Sequence, residues 1–197
     1  LTQSACIAVH NSFCGVCRKT VSQLESLGSE MLSCLDDVQV DAKSRELVLE
    51  KLDDDSLLQH SRLDRTTPST PSLVQRLMQG DFDNLEWRKV TGALSVSHFK
   101  TGDKNYECAL YQIAAGGRIP EHDHNGSEMT VVLSGGFSDK HGVYHPGDFI
   151  FRDRHQVHSP TALESEDCVC FAVTEAPLRF TGWRYRWMNP FLRFNAG

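Results

Sequence analysis

Near its middle the chain reads Gly116-Gly-Arg-Ile-Pro-Glu-His122-Asp-His124-Asn-Gly-Ser-Glu128-Met-Thr-Val-Val-Leu-Ser-Gly135, and this segment is the most informative about the fold. His122 and His124 are two residues apart on a predicted strand, so both imidazoles face the same side and converge on one point. Glu128 follows four residues later. The glycines at the two ends suit tight turns that need a positive φ. Imidazoles held beside a carboxylate suit a divalent first-row metal such as Zn, Fe, Mn or Ni.

A third imidazole is expected to come from a distant strand, and two histidines compete for the place. His155 and His158 are three residues apart, so on a strand they face opposite sides, and we favour His158. A His-x-His pair alone occurs often by chance on a wet surface. Its combination with Glu128, His158 and the framing glycines favours a metal site instead.

Short segments rich in β-branched and aromatic residues surround this stretch and predict strands. Turn signals such as Ser134-Gly-Gly136 and His145-Pro-Gly-Asp148 separate them. Many short strands with Gly and Pro turns indicate a β-sandwich or barrel, and the length of 73–197 suits a jelly roll of roughly eight strands. The predicted strands are Leu85–Val90, Leu94–Lys100, Tyr106–Ala114, Met129–Leu133, Phe149–Arg152, Val169–Thr174 and Arg179–Trp187.

The first part of the chain has a different period. Apolar residues recur at three- and four-residue spacing from Cys17 to Leu35 and again from Asp41 to Leu52, which predicts amphipathic helices within 1–60. The segment Arg65-Thr-Thr-Pro-Ser-Thr-Pro-Ser72 disfavours both helix and core, so 61–72 is predicted to be a linker. The predicted fold class is therefore α+β with two domains, a small N-terminal helical bundle and a C-terminal jelly roll.

His10, Cys14 and Cys17 form a second constellation. On one helix, offsets of four and three place all three side chains on the same face. Two thiolates and an imidazole favour zinc, with a redox Cys-x-x-Cys and a buried cysteine pair as the alternatives. The redox interpretation is weaker because no βαβ pattern surrounds the motif. A closed structural zinc site needs four ligands, and we expect the fourth from another helix, upstream of Leu1.

Composition excludes several classes of protein. With 20 Lys and Arg against 26 Asp and Glu, the net charge of −6 argues against a broad nucleic-acid surface. No apolar run approaches the ~20 residues that span a bilayer, and the start of the sequence lacks the pattern of a secretory signal. The seven unevenly spaced cysteines do not read as a secreted disulfide framework, so we expect a cytoplasmic protein.

The central motif resembles a known family. Gly116-x5-His122-x-His124-x3-Glu128-x6-Gly135 matches the first cupin motif. Tyr144-His-Pro-Gly-Asp148 followed by His158 resembles the second, with a longer spacing before its His and no matching Asn. The resemblance implies a double-stranded β-helix that holds zinc or another divalent transition metal in its mouth. The implied ligands are His122, His124, Glu128 and His158.

The two motifs together resemble the ChrR family of zinc-binding anti-sigma factors, over nearly the whole chain. The matching segments are His10-Asn-Ser-Phe-Cys14-Gly-Val-Cys17-Arg18, Leu85-Glu-Trp-Arg-Lys89, Asp167-Cys-Val-Cys170 and Ala176-Pro-Leu-Arg-Phe180. In that family an upstream His on a first helix completes the zinc site. Here that helix either precedes Leu1 or the N-terminal domain is degenerate.

The resemblance implies a transcription regulator and not an enzyme. Proteins of this family bind an extracytoplasmic-function sigma factor through the helical zinc domain, 1–60 here, without binding DNA directly. They release it when singlet oxygen or organic hydroperoxides appear, a response that needs the cupin. Two sets of apolar residues are candidate sigma contacts, although packing inside the domain is the interpretation favoured for most of them. The sets are Leu24, Met31 and Leu35, and Leu47, Leu49 and Leu52.

Several points stay open at this level. Cys168 and Cys170 face the same way on a strand, as small core residues or, less favoured, as an oxidisable pair. A metal-dependent cupin dioxygenase and a cupin that binds a small ligand without turnover are the competing functions. The His10, Cys14 and Cys17 motif and the linker favour the regulator, because an isolated dioxygenase needs neither. The sequence fixes neither the cupin metal nor the oligomeric state.

Overall fold

The computed structural model describes residues 2–36, 38–39, 41–52 and 85–192. These residues form three α-helices, eleven strands and a 3-10 helix, Arg186–Phe191. The helices are α1 Thr2–Phe13, α2 Gly15–Ser33 and α3 Ala42–Leu52. The strands are β1 Arg88–Lys89, β2 Leu94–Phe99, β3 Glu107–Ile113, β4 His122–His124, β5 Glu128–Ser134, β6 Phe137–Asp139, β7 Gly142–Tyr144, β8 Phe149–Arg152, β9 Thr161–Ala162, β10 Cys168–Thr174 and β11 Leu178–Phe180. The predicted linker, 61–72, lies outside the described residues.

The strands form one large sheet and two small ones. The large sheet is antiparallel with six strands in the order β1-β2-β3-β10-β5-β8, and the small sheets have the orders β11-β4 and β7-β6-β9. Side chains from all three sheets share one buried cluster, among them Val132, Phe137, Cys170 and Phe180. The result is a β-sandwich with three preceding helices, which confirms the predicted α+β class.

The large sheet is buried on both faces, as its strand β10 demonstrates. Cys168 and Cys170 belong to the cluster between the sheets, whereas Phe171 and Val173 belong to a second cluster on the outer face. Alternate residues of a strand point to opposite faces, so a strand covered on both sides carries an unbroken apolar run. The sequence of β10, CVCFAVT, is such a run.

Helix α1 covers the outer face of the large sheet. Its Cys6 and Val9 are fully buried and share a cluster with Leu110, Val131 and Phe171 of the sheet. Burial raises the pKa of the Cys6 thiol to about 12, so this cysteine acts as a small apolar core residue and not as a reactive group. The first helix of the chain is therefore part of the β-domain core.

Two compact units divide the chain. Leu1–Arg18 groups with Thr70–Gly197, and Lys19–Ser69 forms the other unit. These units differ from the predicted division into 1–60, 61–72 and 73–197 in their first 18 residues, because α1 packs on the sheet. A 3.6-residue period predicts a helix but not the surface on which that helix packs.

Two predicted strands differ from those observed. The strand predicted at Leu85–Val90 is reduced to Arg88–Lys89. The strand predicted at Arg179–Trp187 is wrong beyond Phe180, where β11 ends. The Asn189 side chain accepts a hydrogen bond from the Phe180 amide at 2.9 Å and donates one to the Phe180 carbonyl at 3.1 Å. The Asn189 amide therefore occupies both backbone groups of Phe180, so no further strand pairs with this residue on that side. The short strands β6, β7 and β9 were not predicted.

The glycines that frame the central motif adopt the predicted backbone conformation. Gly116 has a φ of 65° and Gly135 has a φ of 66°. A Cβ atom at Gly135 would also overlap the Asp167 carbonyl oxygen. Only glycine therefore fits the turn that carries the chain from β5 into β6.

Candidate metal centres

Three histidines meet inside the β-sandwich, and we call this group, with Glu128, the barrel cluster. His122 and His124 lie on β4, and His158 pairs with His122 through two backbone hydrogen bonds of 2.9 and 3.0 Å. One ring nitrogen from each of the three histidines lies within 4.8 Å of the others. All three side chains are buried. The alternation along β4 and the neighbouring backbone of His158 together bring these imidazoles to one point.

Glu128, the first residue of β5, reaches the same point. Its Oε2 lies 3.4 Å from His124 Nε2 and 3.7 Å from His158 Nε2. Burial acts to raise the pKa of Glu128, but His124, His158, a hydrogen bond with Thr130 and the charge of Arg152 together leave the pKa below its usual value. The carboxylate is therefore ionised at neutral pH and ready to accept a cation.

The donor atoms of the barrel cluster fit a metal ion. His122 Nδ1 donates to the Pro120 carbonyl oxygen at 2.8 Å, which leaves the lone pair on Nε2 free. Both ring nitrogens of His124 and Nε2 of His158 are buried without a hydrogen-bond partner among the described residues. Burial lowers the pKa of His122 and of His158, which keeps both rings neutral. Buried ring nitrogens without hydrogen-bond partners beside a carboxylate are what a divalent transition metal requires.

His155, the competitor of His158, stays outside the barrel cluster. It occupies a turn with a φ of 64°, and its side chain is 59% exposed. Its Nδ1 lies 3.9 Å from Asp123 Oδ2, on the outer side of β4. The sequence predicts a strand position that faces the opposite side, whereas in the structure His155 belongs to the turn before His158 and so stays outside the cluster.

A cavity of about 50 Å³ adjoins the barrel cluster, and some of the residues that line it were not predicted from the sequence. Arg152 lines it and donates to Asp139 Oδ2 at 2.8 Å and to the Tyr144 hydroxyl at 2.9 Å. Arg152 could have been recognised from the sequence as a charged residue at the end of a predicted buried strand, because a buried charge needs a partner of opposite charge. Tyr111 also lines the cavity, and burial raises its pKa well above the usual value, so it is no base at neutral pH.

The paired cysteines of β10 face the same interior. Cys168 Sγ and Cys170 Sγ lie 3.6 Å apart, both side chains are buried, and Cys170 lines the cavity of the barrel cluster. The thiol of one donates to the sulfur of the other. That hydrogen bond lowers the pKa of Cys168 and raises that of Cys170.

His10, Cys14 and Cys17 also come together, and we call this group the junction cluster. Their ligand atoms lie within 4.8 Å of one another, and His10 Nε2 is 3.2 Å from Cys17 Sγ. The expectation of one continuous helix is wrong, because α1 ends at Phe13 and α2 begins at Gly15. Cys14 lies at the junction and keeps helical backbone hydrogen bonds on both sides, from its own amide to His10 and from Arg18 to its carbonyl. The junction preserves the spacing of four and three that the sequence indicated.

Hydrogen bonds shift the pKa values of the two thiols of the junction cluster in opposite directions. The Cys17 amide lies 3.5 Å from Cys14 Sγ, and this backbone hydrogen bond lowers the pKa of Cys14. The pKa of Cys17 is raised because its thiol donates a hydrogen bond to the Cys14 sulfur. A thiol with a lowered pKa beside an imidazole is compatible with a metal site. No fourth ligand joins these three within the part of the chain that the structure describes.

Among the described helices, none combines the length and apolar character needed to span a membrane.

Comparisons with known proteins agree with this architecture. A family model described as the ChrR Cupin-like domain matches residues 75–177 of the 197. The chain is 29% identical to the anti-sigma-E factor ChrR of Cereibacter sphaeroides over 190 residues. This match covers 96% of this chain and 88% of that protein. It is also similar to the crystal structure of Rhodobacter sphaeroides SigE in complex with the anti-sigma ChrR, with a TM-score of 0.72, 27% identity and 86% of each chain covered. Because the family match takes in more than half of the sequence, including the whole barrel cluster, this chain belongs to the ChrR cupin-like family.

Proposed function

We propose that this protein is a cytoplasmic anti-sigma factor that sequesters an extracytoplasmic-function sigma factor and releases it under oxidative stress. The observation that carries the proposal is the similarity to the SigE–ChrR complex over 86% of this chain and of the chain it matches. That span exceeds the β-domain, so the likeness includes helices as well as strands. The anti-sigma-E factor with 29% identity over 96% of this chain supports the same function.

An exposed apolar face supports a helical docking surface for the sigma factor. In α2, Leu24 is 62% exposed and Met31 is 65% exposed, and Leu35 just beyond the helix is 68% exposed. Leu47 and Leu49 of α3 are also exposed. Their exposure supports contact with a partner over packing within the domain. Apolar residues at helical spacing on a surface are typical of a helix that docks in the groove of a partner.

The junction cluster is proposed to hold zinc. Two thiol sulfurs and an imidazole match the ligand types of structural zinc sites, and the fourth ligand is to come from another helix. Bound zinc would link short helices whose described side chains form little core of their own. In this proposal the metal stabilises the surface that binds the sigma factor.

The barrel cluster is proposed to hold zinc or another divalent transition metal through His122, His124, Glu128 and His158, and to sense the oxidant. A bound metal would supply an electrophilic centre that draws a small oxidant into the barrel. The cavity of about 50 Å³ has room for a few waters or a hydroperoxide group beside an ion. Cys170 lines this cavity, so the thiol pair of β10 lies within reach of an oxidant that enters.

The same cavity argues against the competing dioxygenase. Pockets that bind organic substrates commonly enclose about 300–1,000 Å³. The cavity beside the barrel cluster is several times smaller. Tyr111, the lining residue with an acidic hydroxyl, stays protonated at neutral pH because burial raises its pKa. A regulator that admits a small oxidant fits these features better than an enzyme that turns over an organic substrate.

Copurification with the extracytoplasmic-function sigma factors of the same organism tests sequestration. The full chain should retain one of them, and Leu24→Glu/Met31→Glu should abolish retention by placing two charges on the apolar face. Ser22→Glu/Ser29→Glu introduces the same charges at the same separation on the opposite face of α2 and should leave binding intact. Retention by none of the sigma factors, or equal retention by both double variants, would contradict the proposal.

Release is tested on the preformed complex with singlet oxygen from a photosensitiser and, separately, with an organic hydroperoxide. The wild-type complex should dissociate, and the His124→Ala complex should persist because its sensing site is lost. A Cys168→Ser/Cys170→Ser complex decides whether the thiol pair takes part. Dissociation of the His124→Ala complex at the wild-type rate would remove the barrel cluster from the sensing step.

A further inference from the structure

A turn of the β-domain contacts the junction cluster directly. His10 Nδ1 lies 2.8 Å from the Gly147 carbonyl oxygen, in the turn between β7 and β8. A carbonyl can only accept, so Nδ1 carries a proton and donates it to the Gly147 oxygen. A ring that ligates a metal is neutral, so its lone pair is then on Nε2, the atom that faces Cys17 Sγ at 3.2 Å. Metal-ligating histidines commonly donate their other N–H to a backbone carbonyl, which fixes the tautomer and the ring orientation.

The fit between this turn and α1 is close enough to require glycine. Gly147 has a φ of 94°, and a Cβ atom there would lie 2.8 Å from Phe13 Cβ. The ring of Phe149 packs edge-on against His10, with ring centroids 5.7 Å apart. The last turn of α1 is therefore held by a hydrogen bond, a steric fit and a ring contact from one short segment of the β-domain.

The same segment is continuous with the strands that carry the barrel cluster. The Gly147 amide donates to the Val132 carbonyl at 2.8 Å, and the Val132 amide donates to the Asp148 carbonyl at 3.1 Å. Val132 lies on β5, the strand that begins with Glu128. β8 leaves the turn and pairs with β5, which places Arg152 opposite Glu128. Both clusters thus contact the same pair of hydrogen-bonded strands.

We propose that the Gly147 carbonyl is the positioning group of the junction metal site and that it couples this site to the barrel cluster. The inference rests on the proposed metal binding by His10, Cys14 and Cys17. A metal at the junction cluster favours the position of α1 in contact with the turn. That turn is hydrogen-bonded to β5 and leads into β8, and these two strands hold Glu128 in place. Because coupling between two binding sites is reciprocal, a change at the barrel cluster alters junction metal affinity by the same factor as the reverse.

Gly147→Ala in the full-length protein tests the proposal, since its methyl group would push Phe13 away. Gly102→Ala is the matched control, because Gly102 also has a positive φ, 76°, but nothing lies within 4 Å of its Cβ position. Cobalt(II) is the probe, because thiolate-to-cobalt charge-transfer absorption reports the cysteine site alone. Loss of the group that accepts a hydrogen bond from a ligating histidine commonly weakens metal affinity 10–100-fold, and we expect a loss in this range for Gly147→Ala. Gly102→Ala should match the wild type.

Two further measurements separate positioning from misfolding. Phe149→Leu removes the ring beside His10 without backbone strain and should weaken cobalt binding in the same direction by a smaller factor. Amide hydrogen exchange across 2–13 in the metal-free chains should speed up in Gly147→Ala and stay unchanged in Gly102→Ala. Equal cobalt affinity of wild type and Gly147→Ala would overturn the inference while leaving the proposed function in place. Absence of the charge-transfer band from the wild type would instead overturn the proposed junction site and the inference with it.

Discussion

The barrel cluster and the junction cluster bring together similar ligands in contrasting surroundings. The barrel cluster lies among strands with a core on each face of the large sheet, and its histidines are 2–7% exposed. The junction cluster is half-buried, and α2, which begins there, has no buried side chain. The first cluster is held by strands that are packed on both faces of the sheet. The helices that follow the junction cluster have few buried side chains, so a bound metal would supply much of their stability.

The largest effect is expected at the junction cluster. Cys14→Ser/Cys17→Ser should lower bound zinc by one ion per chain and expose the α2 amides to rapid hydrogen exchange, because structural zinc in small domains contributes an apparent ~10–16 kcal/mol. Elemental analysis and exchange mass spectrometry measure both changes. Cys34→Ser, at an exposed cysteine outside both clusters, is the control and should change neither. Full retention of zinc by the double variant would contradict the proposal that the junction cluster, unlike the barrel cluster, depends on zinc for its structure.

The next effect concerns the outer face of the large sheet. Phe171 is fully buried between α1 and the sheet, so Phe171→Ala should lower the free energy of unfolding by about 3–5 kcal/mol. Phe151, half-exposed on β8 of the same sheet, serves as the control, and Phe151→Ala should cost well under half as much. Urea titration followed by fluorescence measures the difference. Similar values for the two variants would mean that α1 does not cover this face in solution.

A smaller effect is expected from the barrel cluster, where the fold does not depend on the ion. His124→Ala should lose the barrel metal and keep its β-domain folded. At a free metal concentration of 100 times Kd, the lost stabilisation is about 2.7 kcal/mol. Metal analysis and thermal unfolding measure the two quantities. His155→Ala should retain the metal because His155 lies outside the cluster. Metal loss in His155→Ala with retention in His158→Ala would reverse the assignment of the third histidine.

The smallest effect is a pH dependence of the metal-free chain. Burial lowers the pKa of His122 and His158 in the folded state. As pH falls below about 6.5, the unfolded state therefore binds protons that the folded state does not, and stability decreases. The depressed pKa of Glu128 acts in the same direction at lower pH. Urea midpoints at pH 7.5 and pH 5.5 measure the loss, and His122→Asn should reduce it. A metal-free chain that gains stability on acidification would contradict the buried, neutral state of these rings.

Spacing along one element determined much of this protein. The two-residue period of a strand aligns His122 with His124, and offsets of four and three align His10 with Cys14 and Cys17 even where the helix is interrupted. Both are local geometry, so the sequence alone contained them. The turn glycines belong to the same class, because a positive φ is a property of one residue.

Contacts between distant elements were decided only by the tertiary structure. Nothing in the helical period of 2–13 indicates that Cys6 and Val9 pack on Phe171, or that His10 donates to Gly147. The unbroken apolar run of β10 showed that both sheet faces are covered, but not by what. Such contacts depend on shape complementarity between surfaces far apart in the chain, and a periodic pattern specifies only that an apolar surface exists and not its partner.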